Sequence, residues 1–104
     1  MWSGRDVGGK VNYAAVIRVD NVDEDPEAGR RGLRDELTPA MRMLPGFRSC
    51  LFLTAHERGA GLGIVVFETR EQARDLADSV TGGSTIHPGV TVISSEVMEV
   101  SASA

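Results

Sequence analysis

The stretch Leu62 to Glu68, Leu-Gly-Ile-Val-Val-Phe-Glu, is apolar at both of its alternating sets of positions. Successive side chains of an extended chain point to opposite faces, so a strand of this kind must be covered on both sides. What can cover it is read from its neighbours. Phe47 to His56 reads as a preceding strand, joined to it through a Gly-rich turn from Glu57 to Gly61. Tyr13 to Val19 reads as a first strand, with Tyr13, Ala15, Ile17 and Val19 on one face, and Val90 to Val100 as a last one. In the strand Phe47 to His56, alternation groups Phe47, Ser49, Leu51, Leu53 and Ala55 on one face, and Arg48, Cys50, Phe52, Thr54 and His56 on the other.

Two helical stripes lie between these runs. Asp25 is placed to cap a helix that opens on Pro26 and carries Leu33, Leu37, Ala40, Met41 and Leu44 at helical spacing. Pro39 should kink that helix or shift its bonding, and Pro45-Gly46 should end it. Thr69 with Gln72 three residues on is a capping-box signature; Ala73, Leu76, Ala77 and Val80 supply the buried stripe of a second helix, and Gly82-Gly83 stops it. A loop through His87-Pro88-Gly89 leads to the last strand.

The element order is therefore βαββαβ, which predicts an α+β, ferredoxin-like domain with a four-stranded antiparallel sheet over residues 12–100, a loose N-terminal tail at 1–11 and a short tail at 101–104. Two short helices cover one face of such a sheet. The economical cover for the other is the same face of a second copy, so a homodimer through the sheet face is expected, two sheets packed as a dimeric α/β barrel.

Charge and cysteine usage narrow the partners. The 104 residues carry a net charge of -4, with no basic block to release counterions from a polynucleotide, so no nucleic-acid partner is expected. A lone cysteine, Cys50, fits a reducing compartment, and the first ten residues lack an apolar run of signal or membrane length. A cytoplasmic protein with no membrane partner is expected.

The Leu-Pro-Gly-Phe junction at Leu44 to Phe47, and the paired strands running into Phe67-Glu68-Thr69-Arg70-Glu71-Gln72-Ala73, resemble the dimeric α/β-barrel superfamily, and within it the antibiotic biosynthesis monooxygenase family. The resemblance covers about Tyr13 to Val100. It implies a ferredoxin-like protomer, a sheet-to-sheet dimer and a ligand pocket between sheet and helices. Its cofactor-free oxygenases carry an Asn and a Trp on and beyond the third strand, where this chain has Gly63 and Phe67; a His found on the second strand of some members is matched by Leu53. The haem-degrading relatives use a helix-borne His, and the second helix here has none.

By that resemblance the pocket would be lined by Tyr13, Ala15, Ile17, Leu51, Leu53, Val65 and Phe67 from the sheet, and by Leu37, Met41 and Leu76 from the helices. An ordinary filled core has the same composition. Tyr13 is the polar handle among them, and His87, in a loop able to lid a pocket, is the second catalytic candidate. His56 reads as a solvated hairpin-end residue and Cys50 as a small buried hydrophobe on the barrel face. His56, His87 and Cys50 lack metal-ligand spacing, so neither metal nor cofactor is expected. Gly59-Ala-Gly-Leu-Gly63 lies between two strands rather than before a helix, which makes it a hairpin and not a phosphate loop; Ala60 and Leu62 stand where an RNA-recognition motif would need aromatics. Arg18, Arg48, Glu68, Glu96 and Glu99 read as cross-strand or cross-dimer ion pairs. Two functions fit: a binding or structural module, a barrel dimer holding a small apolar or aromatic molecule or none, or a cofactor-independent monooxygenase or isomerase acting on a quinol- or polyketide-like aromatic substrate through Tyr13 and His87.

Overall fold

The structure, a computed structural model, describes residues 11–20, 25–80, 85–87 and 90–104, and the backbone alone for 85–87. The expected tail up to Lys10, the Gly82-Gly83 stop and the Pro88-Gly89 turn lie outside the described residues. The chain runs β1 (Tyr13–Asp20), a helical arm, β2 (Phe47–Ala55), β3 (Ala60–Phe67), a long helix, β4 (Thr85–His87) and β5 (Val90–Glu99). The sheet is antiparallel in the order β2-β3-β1-β5-β4. The four long strands thus form an α+β arrangement compatible with a ferredoxin-like fold. The three-residue β4 was not expected; it pairs with β5 across Thr85 and Thr91, in chain that reads as loop because three residues are too few to show alternation.

The helical arm consists of α1 (Pro26–Gly32), a π-helical turn (Leu33–Leu37) and α2 (Thr38–Arg42). Asp25 caps it, its carboxylate accepting from Ala28 N at 3.1 Å, and Pro26 opens it. The π turn is the shift in bonding expected at Pro39. A proline lacks the N–H that would reach the carbonyl of Asp35 and its ring would strike that carbonyl. The ladder widens one step earlier, with Thr38 N donating to Leu33 O. The long helix, α3 (Arg70–Ser79), begins at a complete capping box: Gln72 N donates to Thr69 Oγ1 and Thr69 N to Gln72 Oε1, both at 3.1 Å.

One face of the sheet carries the helices. Val65 and Phe67 of β3 and Ala15 of β1 are buried there against Ala73 and Ala77 of α3, with Tyr13, Phe47, Cys50, Phe52, Leu76 and Val97 packed around them. Burying side chains such as Phe67 and Val65 stabilises by about 1.5–3 kcal/mol each. Ser95 ties β5 to α3, its hydroxyl donating to Ala77 O at 2.8 Å. The arm, by contrast, has no buried residue.

The expected facing of β2 is overturned. Phe47 pairs with Phe67, yet Ser49 pairs with Val66, so the register slips at Arg48. The extra residue of this bulge reverses the alternation beyond it. Cys50 and Phe52 therefore share the helix side with Val65 and Gly63, while Leu51 and Leu53 turn to the open face, 55% and 47% exposed. Leu62, Ile64 and Val66 of β3 lie on that same open face with Met98 of β5, which is 42% exposed. Both sides of β3 are apolar as expected, and among the described residues the helices cover only one of them.

Candidate functional site

Met41 of the arm packs against the core, and between the arm and the sheet a cavity of about 420 Å³ remains. Its floor is the middle of the sheet: Ile17 of β1, Phe52 of β2, and Gly63 and Val65 of β3. Its roof is Leu33, Leu37 and Met41 of the arm, with Leu76 and Val80 at the α3 side. Leu33 and Leu37 bracket the π turn. The lining is mostly aliphatic, and its charged or ionisable members Asp25, Arg30, Glu36 and His56 are all exposed, which places them at the rim.

The rim groups differ in availability. Asp25 is engaged in the cap, and Arg30 Nη2 lies 3.0 Å from Glu27 Oε1. The His56 and Glu36 side chains have no hydrogen-bonding or ionic partner among the described residues. On the outer surface of the arm, Arg34 Nε donates to Asp35 Oδ1 at 2.9 Å. That hydrogen bond, with the charge of Asp35, raises the Arg34 guanidinium above its ordinary value, and the same bond holds the Asp35 carboxyl below the usual carboxylate range. Neither residue lines the cavity.

Of the residues expected to line a pocket, Ile17, Leu37, Met41, Val65 and Leu76 do so. Ala15 and Phe67 are sealed in the core, Phe67 also touching a smaller cleft of about 230 Å³ beside Gln72 and Asp75, with Leu76 between the two spaces. Leu51 is on the opposite face; Leu53 reaches the cavity edge beside Phe52 and Thr54 although its alternation turns it outward. Tyr13 is not in the lining. It packs at the edge of the core, its ring 5.1 Å from the Arg70 guanidinium carbon. The His87 side chain lies outside the described residues.

Alternation misses Phe52, hidden by the bulge; His56, expected as a solvated hairpin-end residue, is exposed and stands at the cavity rim. Gly63, with no side chain to mark a face, is a further floor residue. Arg48 and Glu68 meet across strands at 3.5 Å, as expected; Arg18, Glu96 and Glu99 have no ion-pair partner among the described residues. Cys50 is a free, half-buried thiol, and no cluster among the described residues could hold a metal ion. No described helix is long and apolar enough to cross a membrane. No family model, curated protein or solved structure matches this chain.

Proposed function

We propose that the chain is a homodimeric, cytoplasmic binding domain whose cavity between sheet and helical arm holds a small apolar or aromatic molecule. The observation that carries this reading is the cavity itself. At about 420 Å³ it falls within the range of small-molecule sites, roughly 300–1,000 Å³, and an ordinary packed core would have closed it. Aliphatic walls with a few exposed polar groups at the rim favour a ligand with an apolar body and a hydrogen-bonding end directed at His56 or Glu36.

The open face supports the dimer. Leu51, Leu53 and Met98 are exposed beside the half-buried Leu62, Ile64 and Val66, a contiguous apolar surface of the kind that marks an interface. On the same face Arg18 and Glu96 occupy neighbouring positions, opposite Ser94 and Val16, without an ion-pair partner among the described residues. A two-fold contact would let Arg18 meet Glu96 of the partner subunit. Binding is favoured over oxygenation because Tyr13 lies outside the described lining. A native mass spectrum of freshly purified protein, followed by calorimetry with 2-naphthol, tests the reading. Dimer mass and saturable binding are expected; a bare monomer that binds no naphthol overturns it. Oxygen uptake on adding an anthrone would shift it to the cofactor-independent monooxygenase.

A further inference from the structure

Gly63 stands in the middle of β3, where a glycine weakens a strand because it has most backbone freedom to lose and no side chain to pack. Its backbone is ordinary: the positive-φ glycines among the described residues are Gly46 and Gly59. Conformation therefore does not require a glycine here, but space does. Gly63 pairs across the sheet with Phe52, and a Cβ built on it would lie 3.2 Å from both Cδ1 and Cε1 of that ring, with Ile17 O next at 4.0 Å. The ring edge lies in tight contact with the place where a side chain would begin.

Phe52 consequently spends its length across the sheet toward β3 instead of upward. An alanine at 63 would require the ring to give by a few tenths of an ångström, a larger side chain would displace it further, and the adjoining free space is the cavity under Leu33, Leu37 and Met41. Phe52 is also the only Phe, Tyr or Trp among the described lining residues. We infer that the Phe52–Gly63 pair determines the specificity of the cavity: Gly63 keeps it open by letting Phe52 lie down, and the Phe52 ring selects an aromatic over a saturated ligand of the same size. This inference rests on the binding reading above. Contacts between aromatic rings contribute beyond their buried area by an amount that corresponds to about 2- to 12-fold in affinity.

The test uses calorimetry of the full chain with two probes of one skeleton, 2-naphthol and its saturated counterpart decahydro-2-naphthol. Phe52→Leu should lower the ratio of naphthol to decahydronaphthol affinity by about fivefold. Gly63→Val should weaken both probes at least tenfold while thermal unfolding stays cooperative. Gly63→Ala, which requires the ring to move by only a few tenths of an ångström, should give a smaller loss of the same kind and serves if the valine variant fails to fold. An unchanged affinity ratio in Phe52→Leu, or wild-type affinity in Gly63→Val and Gly63→Ala, overturns the inference and leaves the binding reading standing. Binding of neither probe to the wild-type protein overturns both.

Discussion

Gly46 joins the helical arm to the sheet, and replacing it with alanine tests how the arm is anchored. Gly46 has φ +76°, in the left-handed region. A Cβ there would overlap the amide group of Gln72, the side chain that completes the capping box of α3. Glu68 N donates to Gly46 O at 3.0 Å, so the turn has little room to retreat. Two costs follow. Left-handed backbone at a non-glycine residue costs about 1 kcal/mol, and displacing Gln72 breaks the bond from Thr69 N at 3.1 Å, about 1 kcal/mol more. Gly46→Ala should therefore destabilise by about 2 kcal/mol, or lower Tm by roughly 10 °C in a domain of this size. Urea unfolding of a double-mutant cycle separates the two. Gln72→Ala alone should cost about 1 kcal/mol, and the Gly46→Ala/Gln72→Ala pair no more than Gly46→Ala alone, because the same cap is lost once. Additive costs in the pair, or a Gly46→Ala variant within 0.5 kcal/mol of wild type, would refute the clamp.

The open face and the arm give two more expectations. Leu53→Glu places a charge in the apolar surface while leaving Phe52 on the helix side, so light scattering at micromolar concentration should show wild-type dimer become monomer; a variant that remains dimeric puts the interface elsewhere. Asp35 is held below its ordinary range mainly by the hydrogen bond from Arg34, so its contribution to stability is present above the unfolded pKa and disappears as pH falls through the lower folded value. The stability gap between wild type and Asp35→Asn should be small, close as pH falls below the ordinary aspartate range, and shrink with added salt, since both side chains are solvent-exposed. A gap undiminished at pH 2 would show that Asp35 acts through some other contact.

Element order was legible because each long element repeats its own signal several times over. The four long strands, the Asp25-Pro26 start and the Thr69/Gln72 box all stood in the sequence, and the doubly apolar β3 correctly implied a face left uncovered by the helices. The facing of β2 was not legible, because a bulge inserts one residue without changing composition, and Arg48 is a residue any strand could carry. That single slip exchanged Leu51 and Leu53 for Cys50 and Phe52. The openness of the cavity was equally hidden, since an apolar stripe at Leu33, Leu37 and Met41 has the same spacing whether it seals a core or roofs a void. Pro39 announced a change in bonding, but only the geometry shows it to be a wider turn above the floor.

The bulge at Arg48 also bears on how the protein survives at high concentration. β2 is a nine-residue strand at the margin of the sheet, with one row of amides and carbonyls facing no other strand among the described residues. Long, regular margins of this kind recruit extended segments of other molecules and seed fibrous assemblies. A bulge bends and twists its strand, and the Arg48 guanidinium, 55% exposed and facing Glu68, sets a charge beside the irregularity. The residue that decides which leucines leave the interior thus also makes the margin a poor template. Deleting it would join Phe47 to Ser49 in unbroken register and straighten the strand while Cys50 and Phe52 kept their side, so a gain in self-association would come without a change in the cavity floor.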